Sequence, residues 1–269
     1  MKDYKKLLII LRNIKLKMKL EYVLTSCNLN PLYCDFIPIF IRAWKKIIPE
    51  IKIVIVLIAE SIPEKFIKYS EYIKLFPPIE NVSTAFISQY IRILYPCILN
   101  STGGVMITDM DMLPMNSQYY TKPIESFDND KFIHYLFKGA GYLEYVICYN
   151  IATSCTWKEI FKIEGIEDIR KRLLEVFTSF EHTEGHGCKG WNKDQLDLYF
   201  YINKWDNFSD RFISLDIDKL SFKRLCRSQN FSMNNKIKKL INLNFFTDYH
   251  AYRPYEKYRE INDMIIDLL

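Results

Sequence analysis

The chain reads Gly103-Gly104-Val105-Met106-Ile107-Thr108-Asp109-Met110-Asp111 at the point that decides its fold. An apolar run leads into two aspartates spaced i, i+2, and this spacing turns both carboxylates to the same side of an extended strand. At the carboxyl end of a strand they open into the crevice where α/β sheets bind ligands. Two hard oxygen ligands there suit Mg²⁺ or Mn²⁺ bridging the phosphates of a nucleotide. A solvated loop with the same tripeptide is the alternative.

Segments with the patterns of strands and helices alternate before this stretch. Strands are predicted over residues 16–25, 51–59 and 72–76, and helices over 36–48, 63–69 and 83–99. Ser83 is a candidate N-cap for the last of these helices, and Pro96 predicts a break in its final turn. Regular alternation of strand and helix is typical of a nucleotide-binding α/β sheet.

The part of the chain after residue 115 is less regular. Strands are predicted over residues 132–137, 145–149 and 211–215, and helices over 156–161, 166–180, 194–203 and from 256 onward. A Gly-rich loop at residues 184–191 precedes the helix that begins at 194. Because no internal repeat or low-complexity linker divides the chain, one continuous α/β domain over residues 1–269 is predicted.

Composition indicates an ordinary globular protein, with 49% hydrophobic and 26% charged residues. The net charge of +5 suits an anionic ligand such as a nucleotide diphosphate. Nucleic acid is not an expected partner, because outside the N-terminus the sequence has no dense basic stripe. The seven cysteines form no Cys-x-x-Cys pair, which argues against a zinc site or a disulfide framework and favours a reducing compartment.

The N-terminal segment, residues 1–20, is Lys-rich and contains one apolar run, Leu7-Leu8-Ile9-Ile10-Leu11. This run is far shorter than the roughly 20 residues that span a bilayer, and no small-residue cleavage site follows it. No transmembrane segment is therefore expected. Weak contact with an anionic membrane surface is the alternative to a solvated helix or edge strand. The expected location is cytoplasmic, compatible with a microbial or viral origin.

Three segments resemble GT-A glycosyltransferases. Residues 90–96 (Tyr-Ile-Arg-Ile-Leu-Tyr-Pro) and 105–113 (Val-Met-Ile-Thr-Asp-Met-Asp-Met-Leu) look like the helix and Asp-x-Asp strand of the retaining family-8 enzymes, the glycogenin and bacterial galactosyltransferase group. Asp194-Gln195-Leu196-Asp197 resembles their Asp-Gln segment, and residues 248–255 resemble their C-terminal His segment. The Gly103-Gly104 pair is more like other sugar transferases, the toxin type among them.

This resemblance implies a GT-A (Rossmann-like) nucleotide-sugar-binding fold, with a mixed central sheet flanked by helices. The nucleotide-binding half would span about 16–115 and the acceptor-binding half about 116–255. The implied activity is transfer of a sugar from a nucleotide-sugar donor, with a UDP-sugar favoured over a GDP-sugar, to a glycan or glycoprotein acceptor.

The resemblance also implies a Mn²⁺ (or Mg²⁺) site formed by Asp109, Asp111 and His250. Asp111 would be the principal ligand, and Asp109 would reach both the metal and the ribose. The nitrogen ligand favours Mn²⁺ over Mg²⁺. The ion would stabilise the charge that builds on the leaving nucleoside diphosphate, so no general acid is required. For His250 the alternative is a surface histidine among tyrosines.

Five further residues are candidates for binding the donor. Thr25, Ser26 and Asn28 would lie beside the base and ribose, and a simple turn is the alternative for them. Arg92 is predicted to face the nucleotide or a nearby carboxylate, and an exposed helix arginine is the alternative. Arg253 is predicted to cover the diphosphate, because a guanidinium matches phosphate oxygens in a bidentate fashion.

Asp194 and Gln195 are the candidate catalytic residues. The Asp-Gln resemblance favours retention, with Gln195 near the donor sugar and Asp194 on sugar hydroxyls. The alternative is an inverting enzyme in which Asp194 is the base aimed at the acceptor hydroxyl. Residues 190–194 have a Gly-Trp-x-x-Asp pattern, which is reminiscent of inverting galactosyltransferases, so the sequence leaves both open.

Acceptor contacts are predicted in and before the Gly-rich loop. Trp191 and His186 would form a stacking platform for a sugar on a loop that closes over the donor, and Asn150 would line the acceptor side. The family's His-x-x-Gly-x-x-Lys-Pro-Trp stretch is reduced here to His250 followed by Arg253-Pro254-Tyr255. This departure leaves the donor and acceptor open.

Two other functions remain as alternatives. A two-metal phosphotransferase or nuclease would need further carboxylates converging on Asp109 and Asp111, and the sequence offers no clear candidate. A non-catalytic nucleotide-sugar-binding or interaction protein would be favoured if Asp194 and Gln195 lay far from Asp111.

Overall fold

The computed structural model describes residues 16–137, 143–185, 187–217, 219–229 and 231–269. The apolar run at residues 7–11 and His186 lie outside these residues. The strands are β1 (Leu20–Asn28), β2 (Lys52–Ile58), β3 (Ile73–Phe76), β4 (Gly104–Ile107), β5 (Met112–Pro114), β6 (Phe132–Phe137), β7 (Asn150–Ala152), β8 (Phe212–Asp216), β9 (Arg224–Cys226) and β10 (Asp248–His250).

Helices flank these strands. The α-helices are α1 (Pro31–Cys34), α2 (Ile37–Ile47), α3 (Thr84–Leu94), α4 (Ser117–Thr121), α5 (Ser154–Phe161), α6 (Ile166–Thr178), α7 (Lys193–Asn203), α8 (Phe208–Arg211), α9 (Asn235–Asn242) and α10 (Arg259–Asp267). Short 3-10 helices span Glu64–Tyr72, Tyr95–Ile98, Arg227–Gln229 and Glu256–Tyr258. No helix in the described ranges has both the length and the apolar character needed to cross a membrane.

The central sheet has the strand order β3-β2-β1-β4-β7-β6-β8. The first four of these strands are parallel, whereas β7 is antiparallel to both β4 and β6. Every residue of β2 after Lys52 is buried, as expected for a β-branched apolar strand covered on both faces. The predicted fold class, a mixed central sheet flanked by helices, is confirmed.

Helix α3 forms where the sequence predicts a helix after Ser83. The Ser83 side chain accepts a hydrogen bond from the backbone N–H of Phe86 and so caps the first turn. The regular helix ends at Leu94, and Pro96 lies in the 3-10 turn that follows. This arrangement leaves Arg92 in the last turn of α3, buried against the site described below.

Strand β4 requires a glycine at its first residue. A Cβ on Gly104 would lie 2.4 Å from Cδ1 of Ile151 in the antiparallel neighbour β7, closer than carbon atoms pack. The chain then leaves the central sheet through Asp109 and Asp111 and enters β5, which belongs to a second, three-stranded sheet of order β5-β10-β9. Pro114 therefore ends β5, a separate strand from the one that leads into the aspartates.

One predicted strand is wrong. Residues 145–149 were expected to form a strand, but the strand is β7, which begins at Asn150. The Asn150 amide donates to the backbone carbonyls of Val146 and Ile147 and closes a turn over these residues. Helix α9 was not predicted from the sequence at all.

Candidate active site

A cavity of about 290 Å³ lies at the carboxyl ends of β1 and β4, the two central parallel strands. Its walls come from the end of β1, helices α1 and α3, the segment between β4 and β5, the start of α7, and residues around β9 and β10. The cavity therefore lies where open α/β sheets bind their ligands.

Asp111 lies at this cavity in what we call the Asp111 cluster, formed with Arg227, His250 and Arg253. Its Oδ2 accepts a hydrogen bond from Nη1 of Arg227 at 2.7 Å. The same oxygen lies 3.3 Å from Nε of Arg253 and 3.5 Å from Nε2 of His250. One buried carboxylate oxygen thus receives three basic side chains.

The second sheet brings this cluster together. In β10, His250 pairs with Met112 of β5, the residue after Asp111, and with Cys226 of β9. The Cys226 thiol lies 3.4 Å from Nδ1 of His250, so the other ring nitrogen is the one turned to Asp111. Arg227 follows β9 directly.

The electrostatics of Asp111 favour its ionised form. Burial by itself would raise the pKa of this carboxyl. The contact with His250 and the positive charges of Arg253 and Arg227 outweigh burial and hold the pKa of Asp111 below its ordinary value. Asp111 is therefore a carboxylate throughout the neutral range.

Asp109 belongs to a different group, the Arg92 cluster, which consists of Arg92, Asp109 and Asp194. The Arg92 guanidinium donates through Nη1 to Asp109 and through Nη2 to Oδ2 of Asp194 at 3.1 Å. The Cys148 thiol donates to the other oxygen of Asp109 at 3.0 Å. Arg92 thus contacts two carboxylates at once.

Asp194, near the N-terminus of α7, is perturbed in the opposite direction from Asp111. Burial raises its pKa most, the negative charge of Asp109 raises it further, and Arg92 opposes both, so the pKa of Asp194 is raised to about 6. Its Oδ1 accepts a hydrogen bond from the backbone N–H of Gln195 at 2.9 Å. Both oxygens of Asp194 therefore have partners.

The predicted donor-binding residues of β1 differ in position. Ser26 and Asn28 line the cavity. Ser26 donates to the backbone carbonyl of Ser88, and the Asn28 amide donates to the Thr84 hydroxyl at 3.1 Å, so α3 holds both side chains. Thr25 is fully buried and does not line the cavity.

On the predicted acceptor side, Gln195 and Trp191 line the cavity together with Asp194. Asp194 and Gln195 share this cavity with Asp111, so the distant placement that would favour a non-catalytic binding protein is not found. Asn150 is buried and is not among the lining residues, because its side chain holds the turn before β7. His186 lies outside the described residues.

The donor chemistry of the Asp111 cluster fits a divalent cation. A carboxylate oxygen and an imidazole nitrogen face each other across 3.5 Å, and Mn²⁺ accepts both types of ligand. Asp109, the third predicted ligand, lines the same cavity. Across the described residues no three acidic, histidine or cysteine side chains stand as a ready-made metal site. The carboxylates are engaged by arginines instead, Asp109 by Arg92 and Asp111 by Arg227.

Two residues of the site were missed from the sequence. Arg227 lines the cavity and binds Asp111 although 116 residues separate them along the chain. Cys148 contacts both the backbone N–H and the carboxylate of Asp109. No local pattern marks either residue, because both reach the aspartates only through the pairing of distant strands.

No protein-family model matches the chain, and no curated protein matches it by sequence. Solved structures match the chain in their three-dimensional structure. The galactosyltransferase LgtC, in complex with donor and acceptor sugar analogs, is 11% identical with a TM-score of 0.48, over 92% of this chain and 96% of that one. The glycosyltransferase GlyE of Streptococcus pneumoniae TIGR4 is 12% identical with a TM-score of 0.48, over 94% of this chain and 63% of that one. The first is a galactosyltransferase and the second a glycosyltransferase.

Proposed function

We propose that the protein is a metal-dependent glycosyltransferase that moves a sugar from a nucleotide-diphosphate sugar, with UDP-sugars favoured, to a glycan or glycoprotein acceptor. One observation carries the proposal. A single cavity at the carboxyl ends of the parallel strands is lined by Asp109, Asp111 and His250 and also by Asp194 and Gln195. Its volume, about 290 Å³, is on the scale of a small-ligand site.

The leaving group would be bound at the Asp111 cluster. A Mn²⁺ or Mg²⁺ ion held by Asp109, Asp111 and His250 would supply Lewis-acid stabilisation of the departing diphosphate. Arg253, whose guanidinium lies 5.1 Å from the centre of the Tyr33 ring, would pair with a phosphate oxygen. Ser26 and Asn28 would contact the nucleoside.

Retention is the proposed stereochemical outcome. Asp194 accepts hydrogen bonds on both oxygens, from Arg92 and from the backbone of Gln195. A carboxylate held in this way is better suited to orient sugar hydroxyls than to remove a proton. Gln195 would then be the polar group near the anomeric carbon.

Inversion is the second candidate, and one observation favours it. The pKa of Asp194 is raised to about 6, close to the value expected of a general base that works near neutral pH. Proton NMR of the first product formed separates the two candidates by its anomeric configuration. An inverted product, together with loss of activity in Asp194→Asn, would replace retention by inversion.

The decisive experiment is a donor panel. Hydrolysis and thermal shift are measured with UDP- and GDP-sugars, with and without Mn²⁺, on the wild type, Asp111→Asn and the matched control Asp267→Asn, which changes an exposed aspartate. We expect Mn²⁺-dependent turnover of one nucleotide class. Asp111→Asn should lower it on the order of 10²–10³-fold, and the control should keep it. No response to any donor with either metal would contradict the proposal.

We propose a reducing, cytoplasmic location. All seven cysteines are free thiols. Two of them, Cys148 and Cys226, contact Asp109 and His250. Oxidation at either position would disturb a predicted metal ligand, so the site suits a compartment that keeps thiols reduced.

A further inference from the structure

Arg227 lines the cavity, and the resemblance assigns it no role. It begins the 3-10 turn Arg227–Gln229 after β9. Its Nη1 donates to Oδ2 of Asp111 at 2.7 Å and to the backbone carbonyl of Ala251 at 2.5 Å. Both contacts use one nitrogen, so the other donors of the guanidinium fork are not needed to hold Arg227 where it is.

The Asp111 cluster carries more positive than negative charge. Two guanidinium groups, those of Arg227 and Arg253, contact the single carboxylate of Asp111. The Arg92 cluster has the reverse balance, one guanidinium between two carboxylates. An anion that enters the cavity is therefore attracted to the Asp111 cluster, and guanidinium groups match phosphate oxygens well.

The same oxygen of Asp111 that binds Arg227 faces the imidazole of His250. A divalent ion on Asp111 would add a further cation at an oxygen that Arg227 and Arg253 already contact, so Arg227 and the ion repel each other and compete for one ligand. A diphosphate reverses the relation, since it offers oxygens to both cations.

We propose that Arg227 is a diphosphate-binding residue that neutralises Asp111 in the empty cavity and pairs with the donor's phosphates when a divalent ion takes Asp111. The inference rests on the proposed function. It predicts effects of opposite sign on two ligands of the same site. Removing the charge of Arg227 strengthens binding of the ion alone and weakens binding of the nucleoside diphosphate.

The test is a pair of titrations on the full chain. Arg227→Gln removes the charge and keeps a donor for the Ala251 carbonyl. Without nucleotide, binding of Mn²⁺, followed by the electron paramagnetic resonance signal of the free ion, should be several-fold tighter in Arg227→Gln. With saturating MnCl₂, calorimetric binding of UDP should be weaker by about 10- to 100-fold, the loss of one charge-assisted hydrogen bond. The control Arg259→Gln removes an exposed arginine paired with Glu256 and should change neither affinity.

The outcomes separate the two proposals. If the wild type binds neither Mn²⁺ nor UDP, the proposed function fails. If the wild type binds both, and Arg227→Gln weakens both or changes neither, Arg227 has only a structural role and the inference is overturned. Should Arg227→Gln not fold, the titrations are made on Arg227→Lys, which keeps the charge but loses the planar fork. UDP binding should then fall with Mn²⁺ binding unchanged, and a joint loss would overturn the inference.

Discussion

Asp111 of the Asp111 cluster and Asp194 of the Arg92 cluster are equally buried, but their pKa values are shifted in opposite directions. Asp111 and Asp194 are each 4% exposed, so burial disfavours the charged form of both to a similar degree. Yet the pKa of Asp111 is held below its ordinary value, and the pKa of Asp194 is raised to about 6. Burial alone therefore does not decide whether a carboxyl in this cavity is ionised.

The difference lies in how cations are shared. Asp111 is the carboxylate that contacts Arg227, Arg253 and His250. Asp194 shares its only described arginine with Asp109, whose negative charge raises the pKa of Asp194 further. For these two buried carboxyls, the number of cations that each one contacts, relative to the neighbouring carboxylates, sets the direction of the pKa shift. Three experiments can break or sharpen this comparison.

The largest effect is expected from removing the shared cation. Arg92→Met leaves the buried Asp194 without its arginine partner, and an uncompensated buried charge costs about 3–5 kcal/mol. The free energy of unfolding at pH 7, from urea denaturation, should fall by that amount. The double variant Arg92→Met with Asp194→Asn should recover part of the loss. A change below about 1 kcal/mol in Arg92→Met would mean that the two carboxylates do not depend on this arginine.

The pH dependence of stability gives the next effect. The pKa of Asp194 is 3.8 as a reference and about 6 in the folded chain, so the folded state binds more protons between these values. Its contribution to the free energy of unfolding is fully present below pH 3.8 and is lost as pH rises through about 6, a change of about 3 kcal/mol. The pKa of Asp111 is lowered in the folded chain, so Asp111 stabilises the fold above its ordinary pKa. Its contribution to the free energy of unfolding therefore stays nearly constant between pH 4 and pH 6.

Asp194→Asn should abolish the fall in the free energy of unfolding that Asp194 causes as pH rises through about 6. The free energies of unfolding of the wild type and the variant are measured by urea denaturation at pH 4 and pH 7. The difference between them should change by about 2 kcal/mol, with the variant gaining relative to the wild type at the higher pH. Asp267→Asn, at an exposed position, should keep the wild-type dependence. If the stabilities of the wild type and Asp194→Asn depend on pH in the same way, the pKa of Asp194 is not raised in the folded chain.

The smallest effect concerns the support of the Asp111 cluster. The Cys226 thiol lies beside Nδ1 of His250, whose Nε2 faces Asp111, and we expect this contact to orient the imidazole ring. Cys226→Ala should weaken Mn²⁺ binding by about tenfold, as removal of a group that orients a ligand does. Cys226→Ser should restore most of the affinity, and Cys155→Ala, at an exposed cysteine, should be neutral. If all three variants bind Mn²⁺ with the same affinity, Cys226 does not orient His250.

Local signals in the sequence predicted the elements that carry the cavity. The β-branched run of β2, the Ser83 cap and the Pro96 break each act within a few residues, so the chain around them reveals the outcome. The Asp-x-Asp spacing and the C-terminal His segment pointed to two parts of one cavity, and both line it. Their roles remain predictions.

Contacts between distant parts of the chain were not predictable in this way. The turn before β7 depends on the Asn150 side chain folding back on the chain, and the apolar run before it looked like a strand. Arg227 reaches Asp111 only because β9 and β5 both pair with β10. Neither the Asn150 turn nor the contact between Arg227 and Asp111 can be recognised from the residues next to it in the sequence.

The position of Arg92 between two carboxylates couples ligand binding at Asp109 to the protonation of Asp194. Any ligand that draws Asp109 away from Arg92 leaves the whole guanidinium to Asp194 and makes that carboxyl more acidic. By thermodynamic linkage, a change in the proton or ligand bound at Asp194 must alter affinity at Asp109 by the same factor. The two sides of the cavity are thus coupled through the side chain of Arg92.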